Sequence, residues 1–171
     1  MKRTFLAILG AVAFAALGLT AYAANGRGNA KLTLNGKTVT VDYGKPALKG
    51  RKVEDLLGQL SAGQVWRLGA DKSTTFTTTG DLKFGDVTVP KGEYSLWAEK
   101  EADGSWKLVF NKQHGQWGTD HDAAQDLASV PLKVETSKKS AETVEITLEK
   151  ENGAGEISVA WGTMELSANF N

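Results

Sequence analysis

The sequence contains no cysteine. That excludes disulfides, thiolate nucleophiles and thiolate metal sites, so stability has to come from a packed core. Histidine is nearly as scarce, with only His114 and His121, which narrows the acid–base chemistry available near neutral pH. Proline occurs three times, so forced breaks in the chain are few. Neither sign of charge is in excess, since 20 Lys and Arg balance 20 Asp and Glu. A balanced chain carries no general attraction to nucleic acid or to anionic lipid. Beyond residue 19 there is no long apolar run.

What is present begins with a tripartite N-terminus. Two positive charges, Lys2 and Arg3, precede an uncharged apolar run from Phe5 to Leu19, and Ala21-Tyr22-Ala23 follows. This order predicts a secretory signal over residues 1–23, cleaved between Ala23 and Ala24. The run falls short of the roughly 20 apolar residues that span a bilayer. No cysteine follows it to carry a lipid, so no stable membrane anchor is expected after cleavage. Lys2 and Arg3 leave with the signal and take the balance from 0 to −2. The expected location is periplasmic or secreted. Residues 24–30 are expected to be a flexible lead-in and residues 31–171 a single β domain, long enough to bury about 68–70% of its unfolded surface.

Period-two patterning dominates that domain. Leu32 and Leu34 alternate with Thr33, Asn35-Gly36 follows, and Val39, Val41 and Tyr43 alternate with Thr40 and Asp42. Asn-Gly between alternating runs predicts a hairpin, because both residues tolerate the positive φ of a tight turn. Further strands are predicted at 74–79, 82–84, 87–89, 94–98, 106–110, 144–148, 157–161 and 164–170, with a bulge or bend at Gly162-Thr163. Val53, Leu56, Leu57 and Leu60 fall at helical spacing, and residues 120–127 suit a turn or two of helix. The fold expected is all-β, an antiparallel β-sandwich or barrel-like structure with one or two short helices.

From about residue 39 to 133 the chain resembles the bacterial family known as domain of unknown function 2911. The resemblance is carried by Val41-Asp42-Tyr43-Gly44-Lys45-Pro46, Lys49-Gly50-Arg51, Val65-Trp66-Arg67-Leu68-Gly69-Ala70-Asp71, Pro90-Lys91-Gly92-Glu93-Tyr94-Ser95-Leu96, Trp106, Phe110-Asn111-Lys112 and Gln116-Trp117-Gly118. It implies a secreted or periplasmic β domain, joined in some other proteins to helical repeats, and it implies no known activity. Where the family often reads Gly-Ala-Asn-Glu-Ala-Thr this chain has Gly69-Ala70-Asp71-Lys72-Ser73-Thr74, with lysine in place of the acid at position 72.

Within these motifs the candidate binding residues are Tyr43, Arg51, Trp66, Arg67, Asp71, Asn111 and Trp117. Arg67 has a planar fork suited to a carboxylate or phosphate. It either pairs with Asp71 or Asp42 to pin its loop, or serves an anion or sugar site walled by Trp66. Asn111 and Trp117 suit a sugar ring by hydrogen bonding and stacking, or are a turn residue and a core plug. His114, Asp120, His121 and Asp122 are the only metal-like group, and their spacing matches no known site, since the acidic run lacks the glycine and terminal acid of a calcium loop. A solvated polar loop is the better reading of them. No cofactor is implied. The nucleophile-elbow, zinc-protease, P-loop and S-x-x-K patterns are all missing. Three functions stay open: a non-catalytic binding module for a glycan, peptide or envelope protein, a hydrolase built on a carboxylate pair or the Arg67 and Asp71 region, and a structural envelope or stress protein. A pocket with two convergent carboxylates points to the hydrolase, and an aromatic one without them to binding.

Overall fold

A computed structural model of the chain describes residues 25–171. The signal over 1–23 and the Ala23–Ala24 junction lie outside the described residues. The predicted hairpin is formed by β1 (Gly26–Leu34) and β2 (Lys37–Lys45). Asn35 and Gly36 take φ of 51° and 78°, as the tight turn requires. The pairing begins at Gly26↔Lys45, so residues 26–30 are paired strand and not a flexible lead-in.

After β2 come the single-turn helix α1 (Val53–Leu57), β3 (Val65–Trp66) and β4 (Thr74–Thr78). Next are the small hairpin β5 (Leu82–Phe84) and β6 (Val87–Val89), then β7 (Gly92–Lys100) and β8 (Trp106–Asn111). A 3₁₀ turn at Ala123–Gln125 occupies part of the segment expected to be helical. Two long strands finish the chain, β9 (Asp126–Glu151) and β10 (Ala154–Phe170). The register between them shifts on both sides of Gly162, where the sequence predicts a bulge.

The main sheet is antiparallel and runs β1-β2-β4-β7-β8-β9-β10, with β3 paired to β7. It curls into a nearly closed barrel because β9, besides β10, serves two neighbours along its length. Its first part pairs with β8, from Asp126 to Leu132. Further on it meets the chain leaving β2: Ala47 bridges Thr143, the Leu48 N–H donates to the Glu142 carbonyl at 2.8 Å, and the Val144 N–H to the Pro46 carbonyl at 3.2 Å.

One continuous apolar core fills the barrel, drawn from inward alternates such as Val39, Val41, Phe76, Leu96, Leu108, Phe110, Ile157 and Leu166. At one end the β5–β6 hairpin acts as a plug. Phe84 lies 5.1 Å from Phe110 and 5.3 Å from Phe170, centroid to centroid. Lys83 and Asn171 exchange backbone hydrogen bonds at 2.9 and 3.0 Å. The Lys37 end of β2 faces this plug through a bond from Lys37 Nζ to the Asp81 carbonyl. The Lys45 end of the same strand leads to α1 and to the irregular segments 46–51, 67–72 and 116–121. Among the described residues no helix is long and apolar enough to cross a membrane.

Candidate functional site

Strand β4 leaves β7 at Thr74↔Leu96, and β3 joins it at Trp66↔Ala98. Between them Trp97 has no strand partner on that side, and the 67–73 loop swings out. Trp97 is buried but lies outside the main core cluster, on the alternate face from Leu96 and Ala98. Its ring packs 4.8 Å from that of His121. Trp66 stacks on Trp161 at 5.5 Å with planes 12° apart.

These four rings belong to the wall of a cavity of about 890 Å³. Leu56, Leu57 and Leu60 from the α1 region add an apolar side. The polar lining comes from Asn25, Lys49, Arg51, Arg67, Thr119 and His121. Among the described residues no aspartate or glutamate lines it.

The loop that carries Arg67 is held from several directions. The Thr74 hydroxyl faces the Arg67 and Leu68 carbonyls, both at 3.1 Å. The Gly118 N–H donates to the Asp71 carbonyl at 2.7 Å, and the Ser73 N–H to the Gln116 carbonyl at 2.9 Å. Leu68 and Asp71 take positive φ of 52° and 63°, an uncommon conformation for side-chain-bearing residues that survives only where surroundings enforce it. Gly44 of β2 lies so close behind this loop that a Cβ there would stand 2.1 Å from the Ala70 carbonyl oxygen. The Val41–Pro46 and Val65–Asp71 motifs thus abut, and glycine is what lets their backbones touch.

Arg67 itself donates from Nε to the Gly69 carbonyl at 3.2 Å. A Cβ on Gly118 would fall 2.7 Å from Arg67 Cδ, so the side chain lies directly over that glycine. The pairing expected with Asp71 or Asp42 is not formed. Asp42 pairs with Arg27, and Asp71 accepts the Asn25 N–H at 3.0 Å. Arg51 clasps its own loop, giving Nε to the Leu48 carbonyl at 2.8 Å and Nη2 to the Ala47 carbonyl at 3.0 Å. Among the described residues, Arg51, Arg67 and Lys49 have no carboxylate within ion-pair distance.

Of the residues singled out by sequence, Arg51, Trp66 and Arg67 therefore converge on the cavity. Asp71 lies just behind it. Tyr43 is buried in the β1–β2 face with its ring over Gly28 and does not line the cavity. Asn111 is fully buried. Its amide donates to the Asp122 carbonyl at 2.8 Å and to Asp126 Oδ1 at 2.7 Å, and its oxygen accepts the Gln113 N–H at 2.9 Å. It is a brace for the 112–126 segment, not a sugar contact. Trp117 is no core plug. It is 53% exposed, one residue before Gly118 and Thr119 of the cavity wall.

The metal-like group is dispersed. His114 Nδ1 pairs with Glu93 at 3.1 Å, and His121 Nε2 with Asp126 at 2.9 Å. Asp122 accepts the Ala124 N–H of the 3₁₀ turn at 3.0 Å, and Asp120 faces the Thr119 hydroxyl at 3.4 Å. No three metal-ligating side chains gather among the described residues. Sequence reading missed Asn25, Lys49, Trp97 and Trp161 as site residues. Trp97 and Trp161 read as ordinary alternating strand positions, and only the tertiary fold shows what they face.

A family model described as "Protein of unknown function (DUF2911)" matches residues 26–170, and the chain belongs to that family. No curated protein and no solved structure matches it.

Proposed function

We propose that this member of the DUF2911 family is an exported, non-catalytic binding module whose ligand occupies the cavity between the 46–51, 67–72 and 116–121 segments. One observation carries the reading: a cavity of about 890 Å³, walled by Trp66, Trp97 and Trp161, with no carboxylate among the described residues of its lining. That volume falls within the roughly 300–1,000 Å³ typical of small-molecule sites. It suits a sugar, a short peptide end or another small molecule better than a flat protein face. The hydrolase built on paired carboxylates loses support, because no described carboxylate lines the cavity and two acids that bond to its lining are already engaged: Asp71 by Asn25, Asp126 by Asn111 and His121. Export rests on the pattern of residues 1–23, and mass spectrometry of the N-terminus of the exported fraction tests it.

The binding reading is tested by a thermal-shift screen of sugars, short peptides and metabolites against the purified protein. A true ligand at 100-fold its Kd stabilises the folded state by about 2.7 kcal/mol. Thr119 is exposed and lines the cavity, so Thr119→Trp should fill the mouth and abolish the shift without unfolding the protein. Shifts that persist unchanged in Thr119→Trp would refute this location.

One arrangement favours a second reading. His121 lines the cavity while its Nε2 is held by Asp126, itself braced by Asn111. With Nε2–H donated to the carboxylate, Nδ1 is the ring's free acceptor and could take a proton from a bound water or hydroxyl. Ester hydrolysis abolished by His121→Gln would establish this enzymatic reading. No turnover above the buffer rate in wild type would dismiss it.

A further inference from the structure

We infer that the ligand of this cavity is a small amphipathic anion, a carboxylate or phosphate joined to a planar or apolar body. The inference rests on the binding reading above and specifies its ligand class. The sign of the lining carries it. Three cations, Lys49, Arg51 and Arg67, line a single cavity that no acid lines among the described residues. None has a carboxylate within ion-pair distance among the described residues. Elsewhere Arg27 pairs with Asp42, Lys107 with Glu101 and Lys133 with Glu135, and most other cations are solvated singly, so it is the convergence of three on one acid-free lining that marks this site. The overall charge is balanced, so a cluster of unpaired cations at one cavity is a local arrangement and not the reflection of a basic protein.

The geometry of Arg67 defines the anion-binding end. Its Nε is already given to the Gly69 carbonyl and its stem is fixed over Gly118. The Nη1 and Nη2 donors at its tip have no protein acceptor among the described hydrogen bonds. An end-on pair of parallel donors matches the two oxygens of a carboxylate or phosphate. Arg51 is likewise immobilised by two backbone carbonyls and keeps its Nη1 free. Fixing two guanidinium groups beforehand lowers the entropy cost of capturing an anion. Lys49 is exposed at the rim and adds charge without fixed geometry.

The other walls set the character of the body. Leu56, Leu57 and Leu60 lie on one side and the stacked Trp66 and Trp161 on another. Such surfaces take planar or apolar groups. Among the described residues, the Trp161 indole nitrogen is the one buried side-chain polar atom without a hydrogen-bond partner. A buried donor left unpaired is uncommon. The nitrogen has under 1 Å² of accessible surface, so the wall offers a ligand the indole ring and not this donor. Three acids bond to residues of the lining: Asp71, Asp126 and Glu142. They are occupied by Asn25, by Asn111 and His121, and by the Lys49 backbone N–H.

Three probes that share one body separate charge from shape: 2-naphthoate, 2-naphthamide and 2-naphthylmethylammonium. Calorimetry and tryptophan emission are read on the purified protein, on Arg67→Gln and on Thr119→Trp. The expected order is naphthoate over naphthamide by about tenfold to hundredfold, the strength of hydrogen bonds to a charged partner, with the ammonium weakest. Arg67→Gln should remove the preference for naphthoate while leaving naphthamide binding in place. 2-Naphthyl phosphate competing with naphthoate distinguishes a site for either anion from one for carboxylates alone, and both results support the class. Equal binding of naphthoate and naphthamide, blocked by Thr119→Trp, would overturn the anion class and leave the cavity reading standing. No saturable binding of any probe up to about 10 mM would overturn both.

Discussion

Replacing Gly44 by alanine is the sharpest test of how the site is held. The added Cβ would lie 2.1 Å from the Ala70 carbonyl oxygen, 2.7 Å from the Ala70 nitrogen and 2.8 Å from its carbonyl carbon. All three are backbone atoms, so no side-chain rotation relieves the overlap. Side-chain carbons essentially never come within 3.0 Å of such neighbours, so β2 and the 67–72 loop must part by about 1 Å. Neither side yields easily. Gly44 lies in a strand paired to β1, and the loop is pinned by Thr74 and by the bond from Gly118 to Asp71. Overpacking a rigid contact costs about 1–3 kcal/mol, and this backbone-on-backbone case belongs at the upper end, near 3 kcal/mol. For a domain of this size that is a fall in Tm of roughly 6–12 °C. Urea denaturation followed by tryptophan emission should show a lower midpoint with an unchanged slope. The control is Gly26→Ala, where nothing lies within 4 Å of the new carbon; it should change stability by less than about 0.5 kcal/mol. A Gly44→Ala protein as stable as the control would refute the close approach and, with it, this account of how Arg67 is positioned.

Three further outcomes follow from the same structure. Phe110 is fully buried against Phe76, Phe84 and Tyr94, so Phe110→Ala should cost about 3–5 kcal/mol by denaturant titration. Asn111→Ala leaves the Gln113 N–H, the Asp122 carbonyl and one Asp126 contact unmet; it should cost about 1–3 kcal/mol and alter the His121 ring signals in NMR, whereas unchanged signals would deny its bracing role. Burial, and secondarily the charge of Asp81, raise the Tyr94 pKa above its ordinary value of 10.0. Its folded-state pKa exceeds the unfolded one, so this contribution is whole below pH 10.0 and is lost as pH rises through the folded value. Tyr94→Phe should flatten the alkaline fall in Tm, besides losing the bond from its hydroxyl to the Pro90 carbonyl.

Local signals were enough for most of the barrel. Asn35-Gly36 marks its turn because the positive φ the turn needs is set by those two residue types, without help from distant partners. Strands β4 to β8 are readable because β-branched and aromatic residues alternate within a few positions. The middle of β9 is opaque for the opposite reason. Ser137-Lys138-Lys139-Ser140 carries no alternation and is largely exposed; the register with β10 steps across it from Gly162↔Ala141 to Met164↔Thr136, and its flanks are strand because distant β10 and the 46–48 segment supply partners. Residues 26–30 were hidden likewise, since Gly26-Arg27-Gly28-Asn29 reads as linker until Lys45 to Asp42 pair with it. The site divides in the same way. Trp66 and Arg67 stand out beside Gly69-Ala70, and Arg51 sits in a recognisable motif. Trp161 and His121 come from far along the chain, and no spacing rule connects them to Arg67.

The two ends of the barrel solve one problem differently, and the difference explains where a ligand fits. The plugged end is closed by aromatic packing of Phe84, Phe110 and Phe170, which needs no polar partner and leaves no space. The other end is closed by irregular segments, whose buried backbone groups must each find a partner off the sheet ladder. Buried polar side chains collect there to supply them. Thr74 serves the 67–68 carbonyls, Asn111 serves 113 and 122, and Ser73 bonds Gln116. Ser95 takes both the Trp97 indole N–H at 2.9 Å and the Gln116 amide at 3.2 Å. Such a network fixes loop shape without filling volume, since each bond is directional and short. It can therefore hold a cavity open and hold Arg51 and Arg67 at its edge, which an apolar plug cannot do. Polar burial at this end of the barrel is thus the physical condition for a rigid site.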